Sequence, residues 1–383
     1  MKNFRYCNPV EVVFGQGTIS KLPELIHADL PILMTYGGGS IKKNGVYEQV
    51  LEALKGRKLI EFGGIEPNPR YETCMKAVAM VKNENIGFLL SVGGGSVLDG
   101  TKFIAAAAKF EGGEPWDILD LHAKVKTAVP LGCVITLPAT GSEMNSMSVV
   151  SRDSTTQKLA FSSRAVFPKF AIMDPTTNFT LPARQVANGI VDTWVHVCEQ
   201  YMTYPVNSPL QDRQAEAIFL TLLEEGPKVI TEPKNYDVRA NLVWAATWGL
   251  NGWINCGVVQ DWTTHMIGHE LTAQCGADHA QTLALVLPAL WKHQRKEKGD
   301  KIVQYAERVF GIKGSDRETV IDEAIETTKK FFASVGLVPS KKEYGITDEM
   351  CKSVARILGD RGKLGEQQNI GEKEVNEILA LCD

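Results

Sequence analysis

Asp192 and His196 stand four residues apart in VDTWVHVCEQ, and His265 and His269 repeat that spacing in DWTTHMIGHELTAQCGADH. On a helix, residues four apart share one face. Each stretch can therefore aim two side chains at one point. His279 closes the second stretch, in a Gly-Ala-Asp-His turn ahead of another helical pattern. Imidazole and carboxylate together suit Fe(II), Zn(II), Co(II), Mn(II) or Ni(II). Such pairs on helix faces are a recurrent ligand arrangement. Cys275 lies in the same stretch, so a thiolate ligand is also compatible with the spacing. Spacing alone leaves open which of the histidines bind. His27, His122 and His293 have no such companions and read as ordinary core or surface residues.

A second kind of chemistry is written in two glycine-rich turns. SVGGGSVLDGTK joins a β-rich run to a helical one. Glycines let backbone approach a ligand closely, and the free N–H groups of the following helix favour a phosphate. Ser96 reads as the N-cap of that helix, with Asp99 three residues on in a near capping-box pattern. The turn is neither G-x-G-x-x-G nor a Walker motif, so a plain capped turn is the competing explanation. YGGGSIKKNG follows the first strong apolar run. In dinucleotide sites an acidic residue at this place would bind the adenosine ribose. Here Gly37, Gly38, Gly39, Ser40, Lys42 and Lys43 stand instead, which suits a 2′-phosphate and points to NADP(H) over NAD(H). Solvated surface lysines are the competing explanation for Lys42 and Lys43.

The elements that must position these groups fall into two kinds. Apolar runs at 30–36, 59–62, 86–92, 128–138 and 169–175 alternate with helical patterns at 46–56, 71–85 and 96–110. Residues 149–163 read as a hairpin, two β-rich flanks around a polar turn. Non-alternating apolar strands between helices predict a parallel sheet covered on both faces. Beyond LPARQVANG (181–189) the patterns are all helical. The expectation is an α/β domain over 1–181 and an all-helical domain over 182–383.

Composition narrows the function classes. The chain has 383 residues, 44% hydrophobic and 22% charged, ordinary for a globular protein with a full core. With a net charge of −4 and no basic patch, nucleic acid is not an expected partner. MKNFRYCNPVEVVFG has no apolar core of a signal peptide, and no apolar run is long enough to span a bilayer. The eight cysteines are scattered without a C-x-x-C, as expected of reduced thiols in a cytoplasmic protein.

Taken together, GGGS with KKNG, GGIEPNP, GGGSVLDGTKFIAAAA, TLPATGSE, LPARQVANGIVD, D-x-x-x-H and H-x-x-x-H-x(9)-H resemble the iron-containing (group III) alcohol dehydrogenases over nearly the whole chain. The likeness is greatest to the NADPH-dependent aldehyde reductase and butanol dehydrogenase branch. It implies a dinucleotide-binding α/β domain followed by a helical metal-binding domain, an architecture shared with dehydroquinate synthase. By resemblance, Asp192, His196, His265 and His279 hold one divalent metal, iron or zinc, and His269 is a non-ligand beside the nicotinamide. Gly94, Gly95 and Ser96 are implied at the pyrophosphate, and Gly37, Gly38, Ser40 and Asn68 around the ribose and its 2′-phosphate. Asp99, Thr136, Asn145 and Lys158 match positions that line the cofactor groove, while Thr177 departs from the Tyr of close relatives. Trp253 and Trp262 are candidates to shape the substrate pocket, or else plain packing residues.

The expected function is reversible hydride transfer between NADP(H) and short-chain aldehydes or primary alcohols, with the metal as Lewis acid and His269 as proton relay. Two other activities compete. A dehydroquinate-synthase-type lyase lacks its acidic residue after the first strand and the cations a charged substrate needs. A metal hydrolase with no nucleotide would be ruled out by fluorescence quenching on NADPH addition together with no hydrolysis of esters or phosphates. A homodimer is the expected assembly, with YCNPVEVVFG as a candidate edge strand.

Overall fold

Short apolar runs bounded by turn residues become strands. In the computed structural model, which describes residues 1–382, these are β1 (Glu11–Phe14), β2 (Ile32–Thr35), β3 (Leu59–Phe62), β4 (Phe88–Gly94), β5 (Leu131–Leu137), β6 (Met147–Arg152), β7 (Gln157–Ser162) and β8 (Phe170–Met173). Six of them form one sheet in the order β1-β8-β5-β4-β2-β3, parallel at every pairing. β6 and β7 make the separate antiparallel hairpin expected at 149–163. Helices α1 (Val46–Ala53), α2 (Tyr71–Asn83) and α3 (Gly95–Ala108) connect the early strands. Both sheet faces are covered, which is why the strands are apolar at successive positions. Ile32 and Met34 pack with Val46, Val50, Phe88 and Ile172, whereas Leu33 between them packs with Leu89, Cys133 and Ala171.

The strand order matters for binding. β2 pairs with β3 on one side and β4 on the other, with Thr35 opposite Ser91. The chain runs outward to β3 and returns on the far side at β4, so the order reverses between β2 and β4. In open parallel sheets, ligands bind beyond the carboxyl ends of the strands at such a reversal. Both Gly-Gly-Gly-Ser turns begin there, Gly37 two residues past Thr35 and Gly93 two past Ser91.

The rest is mostly helical: α4 (Ala183–Tyr201), α5 (Pro209–Glu225), α6 (Tyr236–Gly249), α7 (Thr263–Cys275), α8 (His279–His293), α9 (Arg295–Phe310), α10 (Arg317–Ser334), α11 (Asp348–Arg361) and α12 (Glu372–Ala380). Among the described residues no strand follows β8, only an isolated bridge of Leu364 with Ile370. The buried Cys351, Val354, Ala355 and Leu358 of α11 carry helical spacing. Trp194 of α4 is fully buried among Phe219, Tyr305, Phe310 and Phe331, with ring centroids 4.5–6.2 Å apart.

The chain forms two compact units. One comprises Cys7–Leu181 with Lys234–Thr247; the other comprises Met1–Tyr6, Pro182–Pro233 and the residues from Trp248 onward. Each unit thus takes in a segment that a single cut near Leu181 assigns to its neighbour. The causes are long-range packing. Val243 of α6 joins the sheet core, and Thr247 Oγ1 donates to Glu143 at 2.6 Å. At the other end, Lys2 N–H donates to Gly257 O at 2.8 Å and Tyr6 packs edge-on to Trp253.

Candidate metal and dinucleotide sites

Three helices bring the ligand candidates together in the helical unit. α4 carries Asp192 and His196 one turn apart, α7 carries His265, and His279 is the first residue of α8. α7 and α8 are held close at Gly268, where a Cβ would lie 2.8 Å from Leu283 Cδ2. Thr282 Oγ1 lies 3.1 Å from Gly268 O at the same crossing. Asp278 accepts from Arg184 Nε and Asn188 Nδ2, both at 2.6 Å, which ties the start of α8 to α4.

The geometry is that of atoms arranged around a common point. Asp192 Oδ1 lies 3.8 Å from His196 Nε2, 3.7 Å from His265 Nε2 and 3.9 Å from His279 Nε2. These separations are too long for hydrogen bonds. They fit ligand atoms that each reach about 2.0–2.2 Å to a shared ion. The ligand atoms of Asp192, His265 and His279 lie within 4.8 Å of one another. His196 stands beside this trio, its ring stacked on His265 with centroids 4.6 Å apart. His265 Nε2 is buried and has no hydrogen-bond partner. His269 is outside the trio, with its ring 4.8 Å from that of His279 and 5.7 Å from that of His265.

Electrostatics separate the two stacked imidazoles. Burial lowers His196 to about 4, so it is neutral and available as a donor of electron pairs. Burial alone would lower His265 too, but the carboxylates of Glu199 and Asp192 raise it to about 9. Glu199 was not among the residues singled out from sequence. Its Oε1 accepts from the His265 backbone N–H at 2.9 Å, and its Oε2 bonds His265 Nδ1. Its place seven residues after Asp192, on the same face of α4, was the available signal. Trp262 packs edge-on to His196 and His265, whereas Trp253 packs against Tyr6 and Trp248. Cys275 is the last residue of α7 and is not part of the cluster.

In the sheet unit, the turn after β4 has no room for side chains. A Cβ on Gly95 would lie 2.6 Å from Thr140 Cγ2, and one on Gly94 would lie 3.0 Å from Leu137 Cβ. The N-cap of α3 is Gly94, with no side chain capping it. This corrects the expected capping by Ser96 and Asp99. Ser96 Oγ instead accepts from Asn68 N–H at 3.3 Å. Asp99 is half-buried and accepts from Ser142 Oγ at 2.7 Å and Val149 N–H at 3.0 Å. Uncapped first-turn amides on a helix of this length remain a phosphate site.

Other candidates from distant segments meet here. Lys158 Nζ donates to Asn68 Oδ1 at 2.9 Å, so Asn68, Ser96 and Lys158 form one linked group. Asn145 is spent on its own loop: its Oδ1 accepts from Lys102 Nζ and Met147 N–H, and its Nδ2 donates to Gly141 O. Thr136 sits near the carboxyl end of β5 and is largely buried. Thr177 donates to Asp174 O and Ile135 O, which gives the shorter side chain a packing role.

After β2, Gly38 leaves open space where a Cβ would stand. Lys42 is not a free cation. Its Nζ lies 3.1 Å from Glu61 Oε2 and over the rings of Tyr36 and Tyr47. Partial burial works against the Glu61 carboxylate, but Tyr47, Lys42 and Tyr36 all donate to it and hold it below the usual range. Sequence gave no acid directly after β2; the neighbouring strand brings one.

Two family models cover the chain: iron-containing alcohol dehydrogenase over residues 9–175, and the C-terminal part of the Fe-containing alcohol dehydrogenase family over 186–381. The chain belongs to this family. It is 56% identical over 375 residues to the NADPH-dependent aldehyde reductase YqhD of Escherichia coli K12, covering 97% of each chain. It is 41% identical to a probable NADH-dependent butanol dehydrogenase of Bacillus subtilis, over 99% of each. Among solved structures, E. coli YqhD superposes with a TM-score of 0.97 at 52% identity, covering 99% of this chain and 98% of that one. An NADH-dependent butanol dehydrogenase A from Thermotoga maritima superposes at 0.94 with 36% identity, covering 100% and 99%.

Proposed function

We propose that this enzyme transfers hydride between NADP(H) and short-chain aldehydes or primary alcohols. One observation carries the metal half of the proposal: three imidazole nitrogens set 3.7–3.9 Å from one carboxylate oxygen, with the buried His265 Nε2 lacking a hydrogen bond. Nitrogen and oxygen donors of this kind suit iron or zinc. Asp192, His196, His265 and His279 are the proposed ligands. A divalent ion held there supplies Lewis acidity for a carbonyl oxygen and the alkoxide it becomes. His269, whose ring neighbours those of His265 and His279, is the proposed proton donor to that oxygen. Trp262 shields the imidazoles on one side.

The cofactor half rests on the two aligned glycine-rich turns. Gly94, Gly95 and Ser96 at the start of α3 are proposed to receive the pyrophosphate, and Gly37, Gly38, Ser40 and Asn68 the ribose and 2′-phosphate. Lys158, Asp99, Thr136 and Asn145 complete the groove; Asp99 and Asn145 act by holding its backbone, since their side chains are engaged internally. Relatives are named for NADPH and for NADH alike. The absence of a side chain at Gly38 supports NADPH here.

Metal analysis of native protein, with NADPH and NADH oxidation measured on butanal and a panel of other aldehydes, tests the proposal. Stoichiometric metal and faster turnover with NADPH are expected. Ester or phosphate hydrolysis without nucleotide dependence would instead favour a hydrolase. Membership of the alcohol dehydrogenase family sets aside both that activity and the lyase. We further propose a homodimer joined along β1, an edge strand paired on one side only with β8. Light scattering that gives a mass near 42.1 kDa, that of one chain, would remove it. No described helix is long and apolar enough to cross a membrane. Eight free cysteines support a reducing, cytoplasmic setting, testable by cell fractionation.

A further inference from the structure

Glu199 is a buried carboxylate whose side-chain hydrogen bonds all run to a single residue. Oε1 takes the backbone N–H of His265 at 2.9 Å, and Oε2 takes its ring Nδ1. Capping the first turn of α7 explains the first bond but not the second. No Lys or Arg is paired with Glu199 among the described residues. A buried carboxylate is costly unless it is paired and hydrogen-bonded, and among the described residues the His265 ring is its one charged partner. His265 links it directly to the point where the imidazoles and Asp192 converge.

We infer that Glu199 is a positioning residue that fixes the tautomer and rotation of His265, leaving Nε2 bare for a divalent ion. This rests on the metal reading proposed above. A carboxylate is acceptor-only, so the ring nitrogen facing it must carry the proton. When an ion displaces the proton from the opposite nitrogen, that nitrogen presents the lone pair, and it is the one 3.7 Å from Asp192 Oδ1. Two bonds from one carboxylate to the main chain and ring of the same residue also stop the ring from turning. His196 has no counterpart, since its Nδ1 is buried without a hydrogen bond. Charge agrees as well: Asp192 and Glu199 together bring two negative charges, which a divalent cation neutralises. Carboxylate–histidine–metal relays work in this way, and losing the outer partner typically weakens metal binding by about 10–100-fold.

Glu199→Gln is the sharpest test. The amide keeps the size and keeps an oxygen for the His265 N–H, but it turns an NH2 group towards Nδ1. The proton is then driven to Nε2, where it competes with the ion. Stripped wild type, E199Q, E199D and D192A would be titrated with Zn(II) against a chromophoric chelator. Expected are one equivalent bound by wild type, about 10–100-fold weaker binding by E199Q, intermediate binding by E199D, and loss of the site in D192A. The Zn(II)-loaded wild type should also show a slowly exchanging, downfield ring N–H resonance from His265, read with labelled histidine. E199Q binding as tightly as wild type, or a wild type without that resonance, overturns the role of Glu199. Wild type binding no stoichiometric metal, or D192A binding it unchanged, overturns the metal site itself.

Discussion

Lys102→Met tests the support beneath the cofactor turns, because one buried ammonium holds a whole loop. Lys102 is fully buried in α3. Its Nζ reaches Ser142 O at 2.7 Å, Ser142 Oγ and Met147 O at 2.8 Å, Asn145 O at 2.9 Å and Asn145 Oδ1 at 3.1 Å. Burial lowers it to about 8, which still leaves it a cation at pH 7. Methionine matches the stem in volume but donates nothing. Three main-chain carbonyls lose this donor, at about 1–3 kcal/mol for each buried group left unsatisfied. The nearby Asp99 carboxyl also loses a favourable charge, at longer range than an ion pair. These penalties overlap, so the expected loss is about 3–5 kcal/mol, a large part of a stability of about 5–15 kcal/mol. Denaturant unfolding at pH 7, followed by circular dichroism and tryptophan fluorescence, measures it. NADPH affinity should fall as well, since residues 142–147 lose their anchor. Adding Asp99→Asn should return part of the loss, with a coupling of about 0.5–3 kcal/mol. A midpoint shift worth under about 1 kcal/mol, with NADPH binding intact, would refute the reasoning.

Glu366 gives stability a pH dependence of known sign. Lys298 Nζ lies 2.8 Å from both Asp261 and Glu366. Burial opposes ionisation of Asp261, yet Lys298 holds it at about 2, while burial and the adjacent Asp261 raise Glu366 from 4.5 to about 7. A raised pKa favours the fold below 4.5, and that contribution is lost as pH rises through 7. Glu366→Gln should match wild type near pH 5 and exceed it near pH 8 by about 1–3 kcal/mol; parallel stability curves would sink this. Gly38→Asp meets open space and a backbone that tolerates a side chain, so folding should be unchanged while NADPH binding weakens about tenfold or more, equivalent to about 1.4 kcal/mol. NADH binding that weakens equally would count against a 2′-phosphate there. Asp192→Ala should abolish the thermal stabilisation that metal gives wild type, about 2.7 kcal/mol at a hundredfold excess over Kd; an unchanged metal-induced shift in melting temperature would contradict the ligand role.

What sequence shows of this protein depends on how local the cause is. The buried strands were legible because each residue's setting is decided by two covered faces, which leaves uninterrupted apolar runs such as ILMT at 32–35. Asp192 with His196 was legible because one helix turn sets their spacing. Local patterns misled where a distant group competed for the same side chain. Ser96 and Asp99 look like a capping pair, but Gly94 takes the cap and the hairpin strand β6 takes Asp99 through Val149. Lys42 looks free until β3 lays Glu61 beside it. Glu199 shows the limit most clearly. Its spacing of seven from Asp192 puts it on the ligand face of α4, but its partner lies 66 residues away on a different helix, so its role does not follow from that spacing. Only the approach of α7 to α4 turns an unremarkable glutamate into the group that sets which nitrogen of His265 is bare. A ligand can be guessed from spacing along one helix, but the residue that orients it follows from how two helices pack.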